Sequence, residues 1–443
     1  MTQTAWVLSL SQFFLSLGFM LFFLALELGL AWILFALRLR ARRGGPAVLA
    51  YRFWVRVFAL SLVMGFAAAL PVLLQVGTLW PGLMDRAGAV IGPLAGMTVL
   101  TAFFFKSCFL GAMLYGQRRM SHTAHVLVVG MVALGSSLTA WWVMVLLAWL
   151  QWPVGASLDD GVWQLSGWWS LSTEGAAPVL FMLFLAGSLL LALTLMLSLT
   201  ARRTRMRPSD EGDRSVFMLG LWGLPLMIML QVVSAAQLGR LLLVVQPARL
   251  ATVVSQWSGG LPDPVLWWSW PARGASEVYS AVILHDWGPW LGIARQGTIQ
   301  GLEELVGLAP PWGLTFFSAR LAVVLSGLLM VFALVALWRG HRLGYEPDGL
   351  SRGQRSILRV LLWLTLGLQL VGWGHLLVGN LPYAVQGALT LRDALAPVGE
   401  PLLWLVFVLQ VLVYGALGFG FRQLLRHASR YGVVPVARHR GHA

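Results

Sequence analysis

Apolar residues in this chain are gathered into long runs, with almost no alternation of period two. Nine such runs stand out, at 12–37, 53–76, 90–116, 124–150, 176–200, 215–239, 313–338, 356–378 and 400–423. Each is long enough to cross a hydrocarbon core of roughly 30 Å, which takes about 20 helical residues. A segment in lipid must satisfy its backbone internally, so the pattern predicts an all-α polytopic membrane protein with about nine transmembrane helices. No basic leader or small-residue cleavage site accompanies the first run, which is therefore read as a retained helix.

Composition agrees. Of 443 residues, 58% are hydrophobic and 11% charged, with a mean hydropathy of +0.77, which excludes a soluble globule. The net charge of +14 changes the picture only through its distribution. Arg38, Arg40, Arg42, Arg43, Arg52 and Arg56 follow the first span, and comparable groups follow the third, fifth, seventh and ninth. Altogether 23 arginines lie on these alternate connections and six on the others. Cytoplasmic loops carry the basic excess, so the N-terminus is expected outside and the C-terminus in the cytoplasm. The charge marks a membrane face and contact with anionic lipids, and nucleic acid is not an expected partner.

The longest connection, 240–312, lies on the outer side and holds Trp257, Trp267, Trp268, Trp270, Trp287 and Trp290. These tryptophans suit either interfacial anchoring or stacking on a ligand. A helix-like stretch closes the segment at 300–305. Cys108 is expected to be a small buried hydrophobe of the third span, and one cysteine excludes an internal disulfide or a cysteine metal cluster.

Three charges lie embedded in the apolar runs, away from their ends. Lys106 is the one lysine of the chain and sits in Ala102-Phe-Phe-Phe-Lys106-Ser-Cys-Phe-Leu110. Glu27 is the acid embedded in the first span, and Arg320 lies in the seventh. An ammonium in hydrocarbon costs about 2.5–3.5 kcal/mol on insertion scales, so a partner or a cavity is expected. Glu27 lies 15 residues below the outer end of its helix and Lys106 lies 14 below the end of its own. At ~1.5 Å per residue both are about 21–23 Å deep, which predicts an intramembrane ion pair. The competing functional reading makes Lys106 a proton-relay group.

Several segments resemble one family. Ser11-Gln12-Phe13, Leu74-Gln-Val-Gly-Thr-Leu-Trp80 and Val132-Ala-Leu-Gly-Ser136 are similar in order and spacing to subunit I of the cytochrome bd-type quinol oxidases. Arg249-Leu-Ala-Thr with Trp257, Phe316-Phe-Ser-Ala-Arg320, and Gly372-Trp373 followed by Gly379-Asn-Leu-Pro-Tyr383 continue the match. The resemblance implies two four-helix bundles plus a ninth helix, and a respiratory complex that reduces oxygen with quinol electrons through three haems. It divides the chain into a first bundle (1–150), helices 5–6 of a second (151–239) and an outer, quinol-loop-like segment (240–312). Helices 7–8 (313–378) and helix 9 with a basic cytoplasmic tail (379–443) complete it.

The family's ligands do not carry over. The resemblance puts an axial histidine where this chain has Met20, and two glutamates where it has Thr98 and Lys106. A second axial histidine falls within 182–186, which contains none, and its methionine partner is Ala322. Carboxylates of the second and eighth helices are Leu73 and Leu377, and the quinol-loop lysine and glutamate are Arg249 and Val254. Iron needs strong axial donors and proton delivery needs titratable groups. The sequence therefore leads to a haem-free, non-catalytic subunit paired with a haem-bearing subunit I, in the role of subunit II. Haem b and haem d groups are expected on that partner, with a lipid or quinone as the ligand of this chain, in a bacterial cytoplasmic membrane. Two other readings remain open: an active quinol:oxygen oxidoreductase with unusual ligands, and a stand-alone transporter or channel using Lys106 and Glu27.

Overall fold

The computed structural model describes residues 2–41, 45–260, 265–271, 278–280, 283–284 and 300–431. Among them nine helices are long and apolar enough to cross a membrane. In chain order the helices are α1 (Gln3–Arg40), α2 (Pro46–Thr78), α3 (Pro81–Tyr115), α4 (His122–Gln151), a short α5 (Trp168–Thr173) leading into α6 (Ala177–Arg203), and α7 (Glu211–Val245). Then come two-turn α8 (Pro247–Val254), α9 (Trp312–Arg342), α10 (Arg352–Val378), one-turn α11 (Leu391–Ala394) and α12 (Glu400–Tyr431). Most overrun the apolar runs that announce them, because the Trp, Gln and Arg at their ends favour helix while preferring the interface to hydrocarbon. Boundaries are set locally. The Thr2 and Ser121 side chains cap α1 and α4, Asp210 with Asp213 and Ser351 with Gln354 form capping boxes, and Pro46 and Pro81 open α2 and α3.

Helices α1–α4 form one bundle and α6, α7, α9 and α10 the other, joined where α1 crosses α6. That crossing is close because Gly29 has no side chain: a Cβ there would run into the carbonyl oxygen of Ser188. The ninth spanning helix, α12, lies along α1, α2 and α6. A polar seam fixes it. Gln410 Nε2 donates to Gln12 O at 2.8 Å and to Ser16 Oγ at 2.5 Å, Gln12 Nε2 donates to Leu403 O at 2.6 Å, and Gln75 Nε2 donates to Gln410 Oε1 at 3.3 Å. Phe19 stacks on Tyr414 with ring centroids 4.4 Å apart.

Short antiparallel hairpins decorate the connections on the arginine-poor side. β1 (Ala156–Asp159) pairs with β2 (Val162–Leu165) in the register Ala156↔Leu165. Their turn is Asp160-Gly161, with φ of 51° and 79°, the left-handed pair that a two-residue hairpin turn requires. Within the outer segment, β3 (Val265–Leu266), β4 (Ser269–Pro271), β5 (Val278–Ser280) and β6 (Ile283–Leu284) pair as β3–β6 and β4–β5. β7 (Tyr383–Val385) pairs with β8 (Leu389–Thr390).

Two expectations are corrected. Cys108 is exposed on α3 instead of buried, because a membrane helix is apolar on its lipid face as well as its packed face, and hydrophobicity alone does not tell them apart. Residues 300–305 form successive turns and no α-helix; Leu302 and Leu305 fold in to pack on Ala248 and Ala251 of α8. Trp287, Trp290 and His285 lie outside the described residues.

Candidate functional site: buried charges at two depths

The deepest polar site sits inside the first bundle. Lys106 of α3 places its Nζ 2.8 Å from Oε1 of Glu27 of α1, with both side chains at most 4% exposed. The same carboxylate oxygen accepts a hydrogen bond from Ser136 Oγ of α4 at 2.8 Å. Phe66 presents its ring face 5.6 Å from the ammonium. Gly65 faces the second oxygen, so that a Cβ there would stand 3.7 Å from Oε2. Helices α1 and α3 each pack on α4 more than on one another, and the long lysine side chain spans the diagonal. The result is a closed unit in which one anion meets one cation and one hydroxyl. Such a unit holds two charges in place and offers neither to bulk water.

A second polar site lies near the arginine-poor ends of the helices. Arg249 of α8 is buried and, among the described residues, has no carboxylate as a hydrogen-bond partner. Its guanidinium donates to Gln151 Oε1 at 3.0 Å, Gln246 Oε1 at 3.2 Å and the His375 carbonyl at 3.3 Å. Burial draws its pKa down to about 10. Gly379 makes room for it, since a Cβ at that position would lie 2.6 Å from the guanidinium Nε. Gln246 Nε2 donates onward to the Gln151 carbonyl at 2.8 Å and to Asn380 Oδ1 at 3.3 Å. His375 Nδ1 pairs with Ser318 Oγ at 2.9 Å.

Arg320 of α9 finds carbonyls. It donates to Leu266 O, to Val253 O at 2.9 Å and to Phe316 O at 3.0 Å, and its guanidinium lies 3.3 Å from the Phe316 ring centroid. Val254 is buried beside it at the end of α8. Ser255, in the left-handed region at φ 65°, accepts hydrogen bonds from both Trp257 Nε1 at 3.1 Å and Trp312 Nε1 at 3.2 Å. Trp257 and Trp268 pack on Trp312 and Phe317 respectively.

The positions where the family resemblance puts iron ligands hold no comparable donors. Met20 packs against the core and Ala322 is part of the same apolar packing. The Thr98 hydroxyl donates to Leu94 O of its own helix at 2.9 Å. Within 182–186 the buried side chains are Phe184 and Ala186, with Phe184 set edge-on against Trp373 at 5.6 Å. Leu73 is exposed, and Leu377 packs on the core. Glu27, the carboxylate of the first bundle's interior, is already taken by Lys106 and Ser136. Among the described residues no group of three or more His, Cys, Asp or Glu is placed to hold a metal ion. Of these side chains only the Met20 thioether is of a kind that ligates haem iron, and it packs into the core.

The profile of the cytochrome bd terminal oxidase subunit I family matches residues 8–433. The chain belongs to that family. Subunit 1 of the cytochrome bd-II ubiquinol oxidase of Escherichia coli is 33% identical over 154 residues, a stretch covering 34% of this chain and 30% of that protein. Subunit 1 of the Bacillus subtilis cytochrome bd ubiquinol oxidase is 22% identical over 364 residues, 78% of this chain and 76% of that one. The bd oxidase structure from Geobacillus thermodenitrificans superposes with a TM-score of 0.83 at 20% identity, over 96% of this chain and 98% of the other. The cytochrome bd subunit I fold of this chain is therefore that of an integral membrane protein with nine spanning helices among its described residues.

Three groups of this family member escape a reading of its sequence. Ser136 completes the Glu27 site, although its one hint is a serine pair inside an apolar span. Gln151 and Gln246 receive Arg249 and look like ordinary helix-end residues. At the arginine-rich end, Arg203 meets Asp213 at 2.8 Å, and Arg207 bridges Asp210 and Asp213. Here the acids sit in the helix cap, where they read as capping residues alone.

Proposed function

We propose that this chain is a haem-free, non-catalytic subunit of a bd-type respiratory oxidase complex. It holds a haem-bearing subunit I in the place subunit II otherwise takes, in a bacterial cytoplasmic membrane with its N-terminus outside and its C-terminus inside. One observation carries the reading. The position that the resemblance gives to a carboxylate beside an oxygen-reducing centre is a lysine, and its ammonium is 2.8 Å from a buried glutamate. A cation tied to that anion offers iron no donor and passes on no proton. The loss of donors at Met20, Thr98 and Ala322 supports the same reading, and so does the replacement of quinol-loop residues by Arg249 and Val254.

The subunit's work is then architectural. It covers an apolar face of the partner, keeps the pair in register and retains a lipid or quinone. A channel along α1 and α3 finds little support, because the polar side chains available to it are engaged. Gln12 and Ser16 serve the α12 seam, and Thr98 and Thr101 donate to carbonyls of their own helix.

Co-expression with an intact subunit I, followed by absorption spectroscopy and mass spectrometry of each separated chain, tests this. Purified alone, the subunit gives no Soret band; in the complex every haem stays with the other chain. A haem iron ligated by Met20 or Lys106 overturns the proposal.

A further inference from the structure

At the arginine-rich end of the molecule the last turns of α6 and α12 flank an open cavity of about 740 Å³, lined by Arg202, Gln423, Leu424, Arg426, His427 and Arg430. Its volume is in the range of ligand sites. Its charge is one-sided. Arg202, Arg422 and Arg430 all lie close enough to Arg426 to repel it. Among the described residues none of these four arginines forms an ion pair, whereas their neighbours do: Arg203 with Asp213, Arg207 with Asp210 and Asp213, and Arg214 with Glu346. Arg426 Nε is buried without a hydrogen-bond partner.

Two ordinary explanations account for less than this. Basic residues favour helix C-termini, where they meet free carbonyls. At the end of α6 that role belongs to Arg355, which donates to Ala201 O at 2.6 Å. The general excess of arginine on one membrane face explains the sign of the charge but not three guanidinium groups lining one cavity, with a fourth beside them, and no counter-ion among the described residues.

Depth identifies the ligand. Arg426 is 26 residues into α12 and Arg202 is 25 residues into α6. At ~1.5 Å per residue each lies about 38–39 Å from the far end of its helix. That exceeds the roughly 30 Å hydrocarbon core and reaches the headgroup layer. Arginine forks match phosphate oxygens two at a time, and Leu424 offers an apolar flank. We propose that the α6–α12 cavity is a binding site for a phosphate-bearing anion, the phosphodiester of an anionic phospholipid or a soluble phosphate, held by Arg202, Arg426 and Arg430.

The test uses the full-length chain in its native complex, delipidated in detergent. It is exposed to vesicles of phosphatidylglycerol with cardiolipin, to vesicles of phosphatidylcholine, and separately to inorganic phosphate. Bound species are counted by native mass spectrometry, and phosphate binding is read by thermal shift. An R202Q/R426Q/R430Q variant is compared with R342Q/R352Q/R359Q, which removes equal charge elsewhere on the same side. The expected result is selective retention of anionic lipid by the native chain and by the second variant, with occupancy at least tenfold lower in the first. A thermal shift with inorganic phosphate that only the first variant loses, without lipid retention, assigns the same site to a soluble phosphate. Equal lipid retention and equal phosphate response in both variants, or equal binding of phosphatidylcholine, overturns the proposal. Should R202Q/R426Q/R430Q fail to fold, the R202Q/R430Q pair, which changes two exposed side chains, gives the same readout.

Discussion

Replacing Lys106 with methionine removes the cation from the first bundle and keeps most of the side chain's volume. Glu27 is then left about 2% exposed with Ser136 as its remaining partner. Breaking a buried ion pair from one side costs about 3–5 kcal/mol, because the surviving charge stays desolvated. One neutral hydroxyl donor returns about 1.5–3 kcal/mol of that to a charged acceptor, and it is present in both forms. Lys106→Met should therefore lose roughly 3–5 kcal/mol, and Glu27→Leu a similar amount by stranding the ammonium. The double variant removes both charges and leaves only the Ser136 hydroxyl short of a partner, so it should fall within about 1–2 kcal/mol of the native chain. The cycle gives a coupling of at least about 4 kcal/mol between the two sites, larger than packing contacts at that distance usually show. Reversible denaturant unfolding in mixed micelles, followed by tryptophan fluorescence, measures all four forms. A Lys106→Met chain as stable as the native one refutes the reasoning. So does a double variant that loses the sum of the two single changes.

Other outcomes follow from the packing and the turns. Gly29→Leu drives a side chain into the Ser188 carbonyl at the crossing of the two bundles, and should cost more than the roughly 1–3 kcal/mol of ordinary overpacking; aggregation on size-exclusion chromatography reports it. Gly161→Ala puts a Cβ on a residue at φ 79°, at a cost of about 1–2 kcal/mol, and should speed amide exchange across 156–165 without altering the helices. For Arg249 the sign is fixed by a pKa that burial lowers from the usual arginine range to about 10. The folded chain holds that proton less tightly than the unfolded one, so stability rises with pH only above about 10, until the unfolded chain's arginine also loses its proton. Between pH 6 and 9 the difference in stability between the native chain and Arg249→Gln should be constant; a slope in that window contradicts the assignment.

The number and order of the spanning helices are legible because each apolar run has one solution in lipid. The level of Lys106 and Glu27 is legible too, because helical rise converts residue count to depth. What the runs conceal is rotation. A helix that is apolar all round carries no stripe to say which side faces its neighbours, so Cys108 reads as buried and Ser136 does not announce that it faces Glu27. The outer segment fails for another reason. Leu302 and Leu305 are spaced as on a helix face, yet tertiary contact with Ala248 and Ala251 draws them in from turns. The Asp160-Gly161 turn between Ser157-Leu-Asp159 and Val162-Trp-Gln-Leu165 was there to be read as a hairpin signal, but among nine helices so short a motif is easily passed over.

The seam that fastens the final helix also sets a sequence of events during synthesis. The first helix enters the membrane with Gln12, and the second follows with Gln75, yet the recorded hydrogen-bond partners of those side-chain amides are Leu403 and Gln410. Until more than three hundred further residues have been translated, these two amides, each near one end of its apolar run, lack the partners that the last helix brings. A chain that stops short of Leu403 therefore leaves both amides without the hydrogen bonds that the finished molecule gives them, and the last helix to be made is the one that completes the first two.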